Sequence, residues 1–442
     1  MTSAIPSTSR TPWKAVVGGS IGNLVEWYDW FVYASFATYF AGAFFPHGNP
    51  TAQLLNTAGI FAVGFFMRPV GGWLLGRYAD RRGRKAALTL TVTLMSVSAV
   101  LITVAPTYEQ VGYAGAGVLL VARLLQGLSV GGEYAASATY LTEASAPGRR
   151  GFVASFQYVS MTLGQLIGLG LQIVLQHTMS SADLHAYGWR IPFVVGSVGA
   201  AVIFWLRRNL VETEAYTEAE TDSPAERGTL RRLLQHKREF ALVMALTMGG
   251  TVAYYTYTTY LTKYLSNTVG LSKNDAALVS FCALTVFMLL QPLAGALSDR
   301  IGRRPLLVAF GIGATFGTVP LMTTLSHTGG FGGALLLAVA ALVIVTGYTS
   351  INAVVKAELF PTQIRALGVA LPYALATALF GGTAEYVALW FKDAGHESGY
   401  YWYVSGLAAV SLAVYLTMRE TRSTELSAAD QPAAGVGATV AA

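Results

Sequence analysis

The chain has 442 residues, of which 53% are hydrophobic and 12% charged, and its mean hydropathy is +0.49. An ordinary soluble domain carries roughly twice that share of charge, so a set of water-soluble domains is excluded and a polytopic membrane protein is indicated. A single cysteine, Cys282, excludes an intramolecular disulfide and a thiolate metal cluster, and the formal net charge of +6 fits basic membrane-flanking loops better than a nucleic-acid surface.

A spanning helix needs about 20 mainly apolar residues, and about twelve segments of that kind can be read along the chain. After a polar tail, 1–12, the first covers 14–44 and carries Asn23, Glu26 and Asp29. An ionisable side chain inside a membrane costs roughly 2.5–3.5 kcal/mol on insertion scales, so each needs a partner, water or a function. Glu26 and Asp29 lie one turn apart on one helix face. One is expected to carry a proton and the other to pair with a buried arginine, and the residues leave the assignment open. The same two acids argue against a cleaved signal peptide. The second segment, 54–76, carries Arg68 followed by Pro69; Arg68 reads first as an internal partner for Glu26, Asp29 or Glu133, and second as an anion site. Gly76-Arg-Tyr-Ala-Asp80-Arg81-Arg-Gly83-Arg84-Lys85 forms the next loop.

The third and fourth segments are 86–105 and 111–142. Arg123, near the middle of the fourth, could clamp a carboxylate or pair with an internal acid, with equal support for each. Glu133 is either a further proton site or the partner of a loop arginine. Glu143, Pro147 and Arg150 follow, then segments 151–176 and 190–207, the latter opened by Arg190, which reads as a loop staple before an anion attractor. The stretch 208–238 is the one long polar run inside the chain and reads as a linker between two bundles. The seventh segment, 239–267, holds Thr251, Tyr254 to Tyr260 and Lys263. So many hydroxyls facing lipid would be costly, so Tyr254, Tyr257 and Lys263 could line a wet cavity, with Lys263 itself open to a second reading as a gate residue near the outside; the alternative is an interfacial aromatic belt with a snorkelling lysine. Segment 274–297 ends in Gly295-Ala-Leu-Ser-Asp299-Arg300-Ile-Gly302-Arg303-Arg304. Segments 306–325 and 332–357 come next; the second carries Asn352 and Lys356, where the lysine could bind a carboxylate or act as an inside-positive anchor. Glu358, Pro361 and Arg365 precede segment 366–390, which carries Glu385, and segment 398–418 precedes a short tail, 420–442.

The two loops repeat one pattern, and the Glu-Pro-Arg set after the fourth segment recurs after the tenth. Two parallel six-helix halves, 13–207 and 239–419, are therefore expected, as in carriers that rock one half against the other around a central site. Lys and Arg crowd the loops after even-numbered segments and are missing from 46–53, 106–110 and 326–331. That asymmetry puts both termini in the cytoplasm of a bacterial-type inner membrane. Gly72/Gly76, Gly127/Gly131 and Gly164/Gly168 have the spacing of close helix packing.

The paired Gly-x-x-x-Asp-Arg-x-Gly-Arg-Arg/Lys loops, with Arg123-Leu-Leu-Gln-Gly127, resemble the major facilitator superfamily. More narrowly, Gly22-Asn-Leu-Val-Glu-Trp-Tyr-Asp29, Phe66-Met-Arg68-Pro69, Gly127-Leu-Ser-Val-Gly-Gly-Glu133 and Trp189-Arg-Ile-Pro-Phe193 resemble its metabolite:proton symporters, which take up 2-oxoglutarate, citrate, shikimate, proline and betaine. The runs 135–140, 258–264, 356–361 and 384–389 are most similar to the members that take up 2-oxoglutarate. The resemblance spans 13–418 and implies an all-α fold of twelve transmembrane helices in two bundles around a central cavity. It also implies loops that latch one face shut, through Asp80, Arg81, Arg84, Glu143 and Arg150 in one half and Asp299, Arg300, Arg303, Glu358 and Arg365 in the other.

The expected function is proton-coupled import of a dicarboxylate, 2-oxoglutarate first, with shikimate, citrate or a zwitterion such as proline or betaine as the alternative substrates. The zwitterion carriers of this group have a long heptad tail, and here the chain after Arg422 is short and Ala-rich. A membrane enzyme or receptor is the remaining class, and no nucleotide loop or nucleophile constellation supports it. Arg123, Tyr254, Tyr257, Lys263, Asn352 and Lys356 are the candidate substrate residues, and Glu26, Asp29, Glu133 and Glu385 the candidate proton residues. No cofactor, metal or nucleic acid is expected, and the chain is expected to work as a monomer in the lipid bilayer.

Overall fold

The computed structural model describes residues 13–46, 50–146, 148–207 and 229–422, and among them it contains helices and turns but no strand. The expected tail 1–12, Pro147, linker residues 208–228 and tail residues 423–442 lie outside the described residues. An apolar chain of this kind must satisfy its backbone polar groups internally, which helices do without an edge.

The N-terminal half contains α1 (Trp13–Phe44), α2 (Pro50–Arg82), α3 (Arg84–Thr103), α4 (Tyr113–Glu143), α5 (Arg150–Thr178) and α6 (Arg190–Arg207). The C-terminal half contains α7 (Lys237–Tyr255), α8 (Lys273–Ile301), α9 (Arg303–Ser326), α10 (Phe331–Glu358), α11 (Arg365–Ala376) and α12 (Glu397–Thr417). The axis of α7 continues through a π-helical turn, Thr256–Tyr260, into Leu261–Asn267. That of α11 continues through a second π-helical turn, Thr377–Gly381, to Ala384–Asp393. By length and hydropathy, seven helices among the described residues can cross a membrane, and an eighth counts if Ser181–Gly188 and Arg190–Leu206, bent by 46°, form one span.

Helices overrun the apolar segments at the loop motifs. The second segment, expected to end at 76, stays helical to Arg82, and the eighth, expected to end at 297, reaches Ile301. The motif arginines are good helix formers, and at each motif the helix breaks at a glycine, Gly83 or Gly302. Their φ values of 100° and 103° lie where a side chain is strained.

The halves repeat one packing scheme. α2 lies against α4 as α8 lies against α10, α3 against α4 as α9 against α10, α3 against α6 as α9 against α12, and α1 against α5 as α7 against α11. Between halves, α2 meets α11 and α5 meets α8, the same contact from opposite sides, while α10 fills the centre against α4 and α5. The α2–α4 approach is close enough that a Cβ at Gly127 would stand 2.3 Å from the Gly64 carbonyl oxygen, and one at Gly131 would stand 2.1 Å from that of Arg68. The largest buried cluster spans the divide: Trp27, Tyr134 and Tyr158 from the first half join Tyr254, Tyr255 and Tyr348 from the second. Apolar side chains such as Phe66, Leu293, Phe316, Leu336 and Trp402 stand exposed, as lipid-facing positions require.

Candidate functional site

At the end of the bundle that carries the loop motifs, carboxylates tie the halves together. The Asp80 oxygens accept from the backbone N–H groups of Ala366 and Leu367 at 3.0 and 2.9 Å, at the start of α11. Asp299 does the same at the start of α5, accepting from Gly151 and Phe152 at 2.8 Å each. A helix N-terminus presents free N–H groups and partial positive charge, so it holds an anion well. Arg84 bridges Asp80 at 3.0 Å and Glu143 at 3.2 Å, and Arg365 of the other half reaches Glu143 at 2.6 Å. In the repeat, Arg303 bridges Asp299 at 2.8 Å and Glu358 at 3.5 Å, with Arg150 in electrostatic reach of Glu358. Arg81 is partly exposed and Arg300 exposed, at the rim of these clusters.

Between the halves lies a narrow pocket lined by Asn23, Glu26, Trp27 and Arg68, by Tyr134 and Gly131 of α4, and by Tyr373 and Thr377 of the α11 axis. Tyr134 and Tyr373, one from each half, stack with centroids 3.6 Å apart. Beside that pair stands Lys356, fully buried. Its ammonium lies 3.9 Å from the Tyr373 ring centroid and 5.1 Å from that of Tyr134, and donates to the Tyr134 hydroxyl at 3.4 Å. Among the described residues no carboxylate pairs with it. Asn352, one turn earlier, donates to the hydroxyls of Tyr134 at 2.8 Å and Tyr158 at 3.0 Å, and Gln165 donates to Tyr254 at 3.2 Å. These contacts all join the two halves.

The acidic residues of the first half form a polar string beside the pocket. Glu26 accepts from Ser129 at 2.9 Å, and Glu133 accepts from Thr91. Asp29, fully buried, turns the other way: Gln126 lies at 3.5 Å, and Gly196 leaves room for the carboxylate. Arg123 lies within electrostatic reach of Asp29, its guanidinium carbon 3.4 Å from the Tyr33 ring centroid.

Several sequence candidates fall elsewhere. Lys263 pairs with Glu385 at the partly exposed end of the α7 and α11 axes, so this lysine does not line the pocket. Tyr257 is buried inside the second half towards Thr318 of α9. Among the described residues no acid forms an ion pair with Arg68, which donates instead to the Tyr255 hydroxyl of the other half at 3.0 Å. Tyr134, Tyr158 and Tyr373 are not singled out by the sequence, and Tyr255 enters there only as part of the hydroxyl run of the seventh segment. The signal for Tyr134 was present, one helical step beyond Glu133, but nothing in the sequence pairs it with Tyr373.

The family description "Major Facilitator Superfamily" matches residues 19–384 and 254–438. Among curated proteins, the chain is 51% identical over 411 residues to an alpha-ketoglutarate permease of Escherichia coli strain K12, covering 93% of this chain and 94% of that one. It is 34% identical over 414 residues to a citrate-proton symporter of Salmonella typhi, covering 92% and 94%. A solved structure of the proton:xylose symporter XylE, bound to 6-bromo-6-deoxy-D-glucose, superposes with a TM-score of 0.76 at 20% identity, covering 92% of this chain and 96% of that one. That likeness concerns the fold.

Proposed function

The chain belongs to the Major Facilitator Superfamily, and on that premise we propose that it is a proton-coupled symporter importing a dicarboxylate, 2-oxoglutarate first, by alternating access. The observation that carries the substrate class is Lys356: a fully buried ammonium at the interface of the halves with aromatic rings around it and no carboxylate against it. An uncompensated buried charge costs several kcal/mol, and an incoming carboxylate repays that cost. The 51% identity to a permease named for alpha-ketoglutarate supports the choice among diacids.

Asn352 and Tyr254 belong with Lys356 in this reading, as polar groups on the aromatic wall. Arg123 sits on the proton side: protonation of Asp29 frees its charge, and Glu26 and Glu133 continue the polar string. A diacid entering an inside-negative cell is opposed by about 2.3 kcal/mol per charge per 100 mV. Two protons neutralise it and a third makes uptake electrogenic, so several buried carboxyls suit the task. The Asp80 and Asp299 clusters, with their Arg and Glu partners, latch the motif end. Lys263 and Glu385 gate the opposite end, where Tyr257 stiffens the α7 axis. α1 to α12 are read as twelve spans in a plasma membrane, with bundles 13–207 and 239–419, a cytoplasmic linker 208–238, and both tails, 1–12 and 420–442, in the cytoplasm. One chain supplies the whole pocket, so a monomer in lipid suffices.

The test is uptake of labelled 2-oxoglutarate into proteoliposomes under an inward proton gradient. Accumulation should collapse with a protonophore, and citrate, succinate, shikimate, proline and betaine should compete less well. Strong uptake of citrate, shikimate or a zwitterion with none of 2-oxoglutarate would replace the substrate, and a coupling ratio of one proton or fewer would overturn the mechanism.

A further inference from the structure

Arg68 is the second buried cation of the pocket, 3% exposed and on its wall. Two rings support it from one side: the guanidinium carbon lies 4.4 Å from the Trp30 ring centroid and 4.1 Å from that of Phe65, and these rings meet edge to face with centroids 4.8 Å apart. Nη1 is committed to the Tyr255 hydroxyl. Nε has no hydrogen-bond partner, and among the described residues neither Nη2 nor Nε faces a carboxylate. The edge formed by Nε and Nη2 is the side-on fork that matches a carboxylate with two parallel bonds. Arg123 differs, because Asp29 already lies in its electrostatic reach.

We propose that Arg68, and not Arg123, receives one carboxylate of the substrate, side-on through Nε and Nη2, while Lys356, beside the Tyr134–Tyr373 pair, takes the other. This rests on the reading of the protein as a dicarboxylate carrier. Trp30 and Phe65 support the fork from one side, and the Tyr255 hydroxyl fixes its rotation from the opposite half. The pocket beside Arg68 is narrow, with room for about one water, and Lys356 touches its two lining tyrosines from outside it, so a five-carbon diacid must displace the stacked tyrosines to reach both cations. Tyr134 belongs to one half and Tyr373 to the other, so filling the site and moving the halves are one event.

The experiment uses the full-length protein in proteoliposomes, with 2-oxoglutarate and its monocarboxylate analogue 2-oxobutanoate as competitor. R68K keeps a charge but loses the fork, and its KM for 2-oxoglutarate should rise about tenfold or more, the scale of a lost charged hydrogen bond. Y255F leaves the fork and should raise KM only about threefold. K356Q should bring the affinity for 2-oxoglutarate down towards that for 2-oxobutanoate, because the second carboxylate then has no receptor. A ligand-induced rise in melting temperature in detergent provides a readout independent of transport: it should be present in the wild type and absent in R68K and R68Q. An unchanged KM and melting shift in R68K, or a loss in Y255F as large as in R68K, overturns the assignment and leaves Arg68 a brace between α2 and α7. A wild-type protein that neither binds nor transports 2-oxoglutarate overturns the functional reading itself.

Discussion

Lys356 and Arg123 are both fully buried cations on central helices, yet their surroundings differ. Arg123 has Asp29 in reach, whereas among the described residues Lys356 meets aromatic rings and one hydroxyl. Each ring contact is worth about 0.5–2 kcal/mol, less than the cost of burying the ammonium. The resting protein is therefore less stable than it would be with an apolar side chain of similar length there. K356M should raise the melting temperature in detergent, with a stabilisation on the order of 1–3 kcal/mol, while abolishing 2-oxoglutarate uptake. A lower melting temperature with uptake retained would make Lys356 a structural anchor.

Helix ends do most of the joining between elements. Asp80 and Asp299 each close the N-terminus of a helix in the opposite half, and Glu420, just beyond α12, closes that of α9. Its oxygens accept from the backbone N–H groups of Arg303 and Arg422 and from that of Arg304, at 2.9, 3.0 and 3.0 Å. Burial pushes the Glu420 carboxyl up, but the N–H groups of Arg303, Arg304, Arg422 and Thr421 outweigh it and hold it below the usual carboxylate range. A depressed folded-state pKa contributes stability above the unfolded value, near 4.3 for Glu, and loses it as pH falls through the folded value. The wild type should thus melt above E420Q at neutral pH, and the gap should close as the pH is lowered through and below about 4.3. A gap independent of pH would mean that the amide caps α9 as well as the carboxylate does. Gly302 belongs to the same arrangement, since its φ of 103° is paired with a site where a Cβ would stand 2.6 Å from the Glu420 carboxylate.

At the scale of the whole molecule, the repeated loop becomes two charged clusters related by the same interchange of halves, α2 with α11 and α8 with α5. Both clusters lie at one end of the bundle, and the acid–base pair Lys263–Glu385 lies elsewhere, within one half. The end with the clusters is also the end with the arginine-rich loops, and the positive-inside rule predicts a cytoplasmic location for it. A green fluorescent protein fused after the C-terminus should fluoresce in a bacterial host, and an alkaline phosphatase fused at the same point should be inactive. Active phosphatase there would invert the topology and with it the direction in which the pocket opens.

Membrane class, the repeated loop and the residues of both charged clusters were legible in the amino-acid sequence. They depend on local properties: runs of apolar residues long enough to span lipid, a loop pattern written twice, and glycines at the two breaks. The same local reading identified Glu26, Asp29, Arg123 and Lys356 as costly groups that need a reason to be buried. Which group meets which was a matter for the tertiary structure. Arg68, expected to find an acid, faces Tyr255 and two rings; Lys263, expected in a wet cavity, meets Glu385; Tyr257 turns to α9; Tyr134 and Tyr373, far apart in the chain, stack to wall the pocket. Helical periodicity specifies which residues share a face of one helix. It does not specify the rotation of that helix against a neighbour hundreds of residues away, and the charge partners of a buried site depend on that rotation.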